Sequence, residues 1–481
     1  MGEPLYLAVD QGGHASRALV FDGAGRTVAQ SFTAISTQRN ALGHIEHDGD
    51  ELVRATRQAI DDVTQGLAGR AAEISAAGIV TQRSTIVCWD RLSGAPLSPA
   101  ISWQDRRNAA WLEKFAARAD WIKARTGLVL SPHYGASKIR WCLDHIPAVQ
   151  RAHVGKRLAV GPLSSFLAFR LLDGGPLAVD PANASRTLLF DPLTLDWSAE
   201  LLELFSIPRD VLPDCRASLG NFGTLRTCNE STEVTVITGD QSAVPFAWGK
   251  PASDTVFVNV GTGAFVQRTL HERLPAGSGL LASVVLHDGK EVTLAHEGTV
   301  NGAGSALQWL AEAEGLDVGR LIDALDASGF ANSQPPLFLN GISGLGAPFW
   351  ISHFESRFVG GGNALEKFIA VLESIAFLIR VNIDEMRRTP PAIERIVLTG
   401  GIARSAYFCQ ALADLLELQV LRAEEQEASA RGVACLAAGL PESWRNDAGR
   451  SFAPASNGPL LARYVAWVRA LKSALPQARL Q

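Results

Sequence analysis

The sequence predicts an α/β protein built as two lobes that face each other across a shared cleft. Three observations predict it. The chain has 481 residues, too many for one hydrophobic core, so two domains of about 200 to 250 residues are expected. A strand, glycine turn, strand unit occurs twice, at 5–21 and at 256–266, about 250 residues apart, so each lobe would offer one hairpin to the cleft. Apolar strands that run into glycine turns and then helices, as at 396–405, mark the second half as α/β. The division is expected at 1–232 and 233–481.

In chain order, Leu5-Tyr6-Leu7-Ala8-Val9 is an apolar strand, Asp10-Gln11-Gly12-Gly13-His14 a polar turn, and Ala18-Leu19-Val20-Phe21 the returning strand, closed by Asp22-Gly23. A glycine turn between strands lets backbone N–H groups face an anion with no side chain intervening. Neither copy is a P-loop, because G-x-x-x-x-G-K-[ST] is absent. Neither is a dinucleotide fingerprint, because a strand follows and not a helix. Leu52, Val53, Ile60 and Val63 then recur at helical spacing over 50–67, behind Asp48 or Asp50 as the N-cap. Strands at 77–80 and 85–89 flank the polar turn Thr81-Gln82-Arg83-Ser84, which places Arg83 at a strand end. Ser102-Trp103-Gln104-Asp105-Arg106-Arg107 closes a strand before a helix over 108–117. An aromatic beside an acid and two arginines suits a pocket for a hydroxylated ligand, and equally a structural salt-bridge corner. Helices over 136–145 and 161–172, a loop at 180–186 and a helix ending at 201–205 before Pro208 and Pro213 complete the first lobe.

The second lobe opens on the stretch around which the chain is organised, 235–267. Asp240 follows an apolar strand and suits a base; Gly261-Thr262-Gly263, about twenty residues on, suits a phosphate or is an ordinary hairpin turn. The run 296–305 is a glycine-rich start to a helix bearing Leu307, Gln308, Trp309 and Leu310. It is a second anion-friendly place, since the first N–H groups of a helix lack intrahelical partners. Gly400-Gly401 closes an apolar strand at 396–399, where glycines let a flat ligand lie close to the backbone or simply make a tight turn. A helix over 365–386 and the small-residue segment 428–439 complete this lobe.

A hydrophobic fraction of 47% with 19% charged residues describes a soluble globular protein with large cores. Net charge is −5 and no long basic run occurs, which argues against nucleic-acid and anionic-membrane partners and for small-molecule chemistry. The six cysteines, Cys88, Cys142, Cys215, Cys228, Cys409 and Cys435, show no metal-site spacing and are expected to be reduced core thiols of a cytoplasmic protein. The first strand begins too early to leave room for a signal peptide. The apolar run 368–379 is too short to span a membrane and carries Glu373.

Eleven segments in order, AVDQGGHASRALVFD, GHIEHDGDEL, GIVTQRSTIVCWD, AISWQDRRN, DPANASRTLLFDP, LDWSAELLELFSIP, GDQSA, VGTGAF, EGTVNGAGSALQWL, GISGLGAPFW and VLTGGIARSAYF, resemble the FGGY carbohydrate kinases, most closely their glycerol kinase branch. The resemblance runs through most of the chain. It implies two lobes of the actin, Hsp70 and hexokinase type (ribonuclease H-like), each with a mixed five-stranded sheet, ATP in the cleft, and closure on ligand. It further implies that Asp240 is the general base toward the acceptor hydroxyl and that Asp10 positions Mg²⁺. Gly12, Gly13 and Arg17 would sit by the phosphates from the first lobe and Thr262 and Gly263 from the second, with Gly304, Gln308, Gly400, Gly401 and Ser405 lining the nucleotide. Arg83, Ser84, Trp103, His133, Asp240 and Gln241 would hold a small polyol or sugar. A homodimer is the family's common habit. A degenerate member that senses nucleotide or sugar without phosphoryl transfer is the rival expectation.

Two departures bear on the acceptor. The branch carries a Gln-Arg-Glu triplet where this chain has Gln82-Arg83-Ser84, and a tyrosine where it has His133, with Tyr134 one position along. Loss of the carboxylate removes a charge-assisted contact and widens the pocket, so glycerol should bind worse and a bulkier polyol or ketose should fit. The first hairpin has Gly13-His14 where the family has two threonines. His14 is then either a phosphate donor when protonated or an exposed turn residue.

Overall fold

A computed structural model describes residues 3–227, 230–275, 277–315, 317–328, 334–445 and 448–475. The chain divides into two compact units, one of Met1–Pro251 with Ala282–Ala295 and Glu427–Asn446, the other of Ala252–Leu281, His296–Gln426 and Asp447–Gln481. The division expected at 232/233 is therefore corrected. Residues 233–251 stay with the first unit because strand Ser231–Gly239 pairs in parallel with Ile74–Thr81, Thr238 opposite Val80 and Gly239 opposite Thr81. An inner strand cannot leave its sheet without orphaning that ladder.

The first unit is built on a six-stranded sheet ordered Thr224–Arg226, Ser231–Gly239, Ile74–Thr81, Leu5–Gln11, Ala15–Phe21, Thr27–Ala34. Both faces of its inner strands are covered, which is why they read as near-continuous apolar runs. Leu5, Leu7 and Val9 enter one core with Leu52, Ile60, Val63 and Phe166. Ala8, Leu19, Phe21 and Val80 enter a second with Phe246, Val433 and Trp444. Helix Gly49–Gln65 covers the first face, and its cap is Asp48, whose carboxylate accepts from the amides of Asp50 and Glu51. The second face is covered by helix Ala428–Ala437, expected from the sequence in the other lobe. Small residues allow this close approach. A Cβ at Gly78 would stand 2.5 Å from Val433 Cγ2, and one at Gly432 would stand 2.0 Å from the Ala243 carbonyl oxygen.

Two local expectations change. The run 161–172 divides into strand Leu158–Pro162, paired antiparallel with Ile86–Asp90, and helix Leu163–Leu171. The helix expected over 108–117 is a single α-turn, Ala109–Leu112, continued as 3₁₀ helix over Glu113–Arg118.

The second unit is built around strands Ala264–Leu270, Thr255–Val260, Arg395–Thr399, Gln419–Ala423 and Gly449–Phe452. They are five neighbours in a seven-stranded sheet that continues through Val292–Val300 to Leu281–His287. The two main sheets thus exceed the five strands that the resemblance implied. Helix Ala364–Met386 is the spine of this core and starts in a capping box between Asn363 and Glu366. Glu373 is buried inside it because it is paired: Arg463 donates to its two carboxylate oxygens at 2.8 and 2.5 Å, and the Tyr407 hydroxyl donates at 2.7 Å. Among the described residues no helix is long and apolar enough to cross a membrane. Cys88, Cys142, Cys409 and Cys435 are buried free thiols and Cys215 is half-buried; Cys228 lies outside the described residues.

Candidate active site

The residues expected on the acceptor side all fall in the first unit: Arg83, Ser84, Asp240 and Gln241 follow the C-terminal ends of parallel strands, while Trp103 follows the antiparallel strand Ala100–Ile101 and His133 precedes helix Gly135–His145. Strand Ile74–Thr81 runs into Gln82-Arg83-Ser84, where Ser84 takes the left-handed region at φ 65°. Three contacts fix this strained turn. The Gln82 amide donates to the Gln11 carbonyl at 2.8 Å, the Lys138 ammonium donates to the Ser84 carbonyl at 2.8 Å, and the Leu163 amide donates to the Thr85 carbonyl at 3.0 Å. The neighbouring strand ends at Gly239, and Asp240 follows as the first residue of the short helix Asp240–Ala243. Gly239 is what lets Arg83 pass: a Cβ there would lie 2.6 Å from both Cγ and Cδ of Arg83. The Arg83 Nε consequently reaches to 3.9 Å from Asp240 Oδ1, which also accepts from the Gln241 amide at 2.7 Å.

Trp103 and His133 complete this side. The Trp103 amide donates to Thr85 Oγ1 at 3.1 Å, and its ring meets the His133 imidazole edge-on with centroids 5.7 Å apart. The first hairpin borders them, since a Cβ on Gly13 would contact Gln82 Oε1 and Trp103 Nε1, each at 3.9 Å. Gly13, Arg83, Ser84, Trp103, His133 and Asp240 are therefore brought together. Ser84 Oγ, Gln82 Oε1 and Thr81 Oγ1 are buried without a hydrogen-bond partner.

Burial, and then the charge of Asp240, push the Asp10 carboxyl up to about 7, with Arg17 opposing and Glu427 adding to the shift. His133 is held well below its usual value by burial and then by Lys138, Arg186, Arg83 and Arg106, so it faces the pocket as a neutral imidazole. Burial lowers Lys138 to about 7. Arg17, expected beside phosphates, approaches Glu427 at 3.4 Å and lies over the Phe32 ring. His14 is exposed.

The residues expected to line the nucleotide from the second lobe fall in the second unit, and here one expectation is overturned. Helix Gly304–Glu314 does not present free amides. The amides of Ala303 and Ser305 donate to the Thr262 carbonyl, each at 3.0 Å, and the Gly304 amide donates to the Gly261 carbonyl at 2.9 Å. The Gly261-Thr262-Gly263 turn itself caps the helix, and Gly304 is a packing glycine whose Cβ would stand 2.7 Å from the Gly261 oxygen. Gly12 and Gly261 likewise direct their amides inward, to Ala15 and Gly263. Ser405 is fully buried, donating to Asp326 at 3.2 Å and capping helix Ala406–Leu416, so its role is structural and not ligand-lining. Thr262, Gln308, Gly400 and Gly401 remain exposed. Gly400, at φ 97°, has the Val260 carbonyl oxygen 2.5 Å from a would-be Cβ, so it is required. Gly400→Ala is expected to raise the KM for ATP about tenfold with the acceptor KM unchanged, read in steady-state kinetics. Equal changes in both would assign the glycine to folding alone.

Sequence reasoning missed Gly239, Lys138 and Glu427 as parts of the site. Gly239 stands in the same five-residue motif as Asp240, and Lys138 follows His133 by five positions; Glu427 carries no signal in its surroundings.

Known proteins fit this arrangement. Family models described as the N-terminal and C-terminal domains of the FGGY family of carbohydrate kinases match residues 5–261 and 256–439. A glycerol kinase of Geobacter sp. strain M21 is 35% identical over 90% of this chain and 89% of its own. A glycerol kinase of Alcanivorax borkumensis is 35% identical over 96% and 97%. The crystal structure of Plasmodium falciparum glycerol kinase with ADP superposes with a TM-score of 0.89 at 23% identity, covering 99% of both chains, which shows the two-domain actin and hexokinase-like fold. Matched by both domain models and by relatives along nearly its whole length, the chain belongs to the FGGY family of carbohydrate kinases.

Proposed function

We propose that this kinase transfers the γ-phosphoryl group of ATP to a hydroxyl of a small polyol or ketose held by Arg83, Ser84, Trp103, His133 and Gln241, with Asp240 as general base. The acceptor O–H gives its proton to Asp240, its oxygen bonds to the γ-phosphorus, and the bond to the β–γ bridging oxygen breaks to release ADP. The observation that carries this is Asp240 at a strand end, with its Oδ1 3.9 Å from Arg83, whose turn continues into Ser84, and with the Trp103 and His133 rings in edge-on contact in the same unit. One residue accepts the proton and its neighbours fix the hydroxyl, which is most of what phosphoryl transfer asks of a protein.

Asp10 is the residue proposed to position Mg²⁺, which when bound with the nucleotide neutralises phosphate charge. The site fits that use. Asp10 is a buried carboxyl raised by its neighbour Asp240, and an added cation would favour its ionised form. Among the described residues no three His, Cys, Asp or Glu are grouped as a metal site. Mg²⁺ shared with substrate phosphates needs only one or two carboxylates. A cytoplasmic homodimer is proposed with this reading, consistent with the buried free thiols.

A coupled ADP-release assay across glycerol, tetritols, pentitols, ketopentoses and ketohexoses tests the reading. Turnover should be stimulated by one class, with glycerol not the best. ATP binding without stimulation by any of them would replace it with a sensor. Because Ser84 stands where the glycerol kinase branch has a carboxylate, Ser84→Glu is expected to lower the glycerol KM about tenfold. An unchanged or higher glycerol KM would mean that position 84 does not set acceptor choice.

A further inference from the structure

Lys138 is fully buried, yet the phosphoryl transfer described above gives it no task. It is the fourth residue of helix Gly135–His145, so a cation sits in the first turn, where the helix dipole disfavours positive charge, as does burial. Burial, with Arg107 and Arg106 adding and Asp105 opposing, carries its ammonium down to about 7. A methionine or leucine would fill the same volume without these costs. What only an amine supplies there is a pair of donors: its Nζ donates to the Ser84 carbonyl at 2.8 Å and to the His133 carbonyl at 2.7 Å.

These two carbonyls belong to residues 49 positions apart that both line the acceptor side. Ser84 has a left-handed backbone that an L-residue adopts only under constraint. His133 precedes Tyr134, whose φ and ψ are extended, at the N-terminus of the helix that carries Lys138. No side chain at 84 or 133 takes part in either bond.

We propose that Lys138 is a positioning residue that staples the Ser84 turn to the His133 loop through their backbones and so fixes the floor of the acceptor pocket whatever side chains those two positions carry. This rests on the acceptor-pocket reading given above. It explains how positions 84 and 133 depart together from the glycerol kinase pattern while the pocket keeps its form: the staple holds main chain, and the side chains are free to set specificity.

Lys138→Met keeps the stem and removes the donors. With glycerol and with D-xylulose as acceptors, it is expected to raise the acceptor KM about tenfold or more, on the scale of one charge-assisted bond, with kcat reduced less than about threefold and the KM for ATP unchanged. A loss shared equally between the acceptor and ATP KM values, or one confined to kcat, would overturn the inference while leaving the kinase reading intact. Absence of wild-type turnover across the whole acceptor panel would instead remove the reading beneath it. If Lys138→Met does not accumulate as folded protein, hydrogen exchange of the wild-type chain decides. Amides over 82–86 and 131–136 should gain protection together when acceptor is added, and protection of one segment without the other would overturn the staple.

Discussion

Asp240→Asn is expected to leave ATP and acceptor binding nearly intact and to lower kcat by about 10²- to 10⁴-fold. The amide keeps the shape of the carboxylate and can still accept from the Gln241 amide through its oxygen, so the start of the Asp240–Ala243 helix should survive. It cannot take the acceptor proton. It also removes the negative charge beside Arg83 and the one that helps raise Asp10, so Asp10 should ionise at lower pH in the variant. Single-turnover kinetics with equilibrium binding of ATP and acceptor separates these effects. A folded Asp240→Asn protein that retained most of its turnover would remove Asp240 as base, and with it the role given to the stretch around which both units were first read.

What could be read from the sequence was what is local in it. Asp10 and Asp240 stood out because each comes late in or after an apolar run, although Asp10 lies inside strand Leu5–Gln11 and Asp240 opens a short helix, and the β-hairpin at 5–21 formed as its alternation of strand and glycine predicts. Arg83 was legible as a strand end for the same reason. Apart from the 3₁₀ continuation over Glu113–Arg118, the failures concern partners distant in sequence. Helix Ala428–Ala437 looks like a member of any α/β layer. Its assignment depends on Gly78 and Gly432 leaving room for it on the first unit's sheet, and nothing around 428 points to a glycine 350 residues earlier. The amides at the start of helix Gly304–Glu314 look free by rule, but a turn 40 residues upstream supplies the carbonyls. Ser405 was expected to line the nucleotide, and its engagement with Asp326, 79 residues earlier, is not visible around it in the sequence. Lys138 follows His133 by only five positions, but its two acceptors are carbonyls, which a sequence does not distinguish.

Arg83→Ala is expected to raise the acceptor KM about 10²-fold, because a guanidinium gripping hydroxyls makes two charge-assisted bonds, while the KM for ATP stays within about twofold. Gly239 offers an independent route to the same effect. Arg83 is almost fully enclosed, with a side chain only 8% exposed, and an alanine Cβ at 239 would stand 2.6 Å from its Cγ and Cδ, so the stem must swing away from Asp240. Gly239→Ala alone should therefore resemble Arg83→Ala in steady-state kinetics, with a raised acceptor KM and an unaltered ATP KM. The two changes should not add, because they remove one interaction. In an Arg83→Ala background the Cγ and Cδ are gone, and Gly239→Ala should cost less than about threefold more. A full second loss there would show that the glycine serves its other close contact, Ser242 Oγ at 3.1 Å from the same Cβ, and that the path of Arg83 to Asp240 does not depend on it.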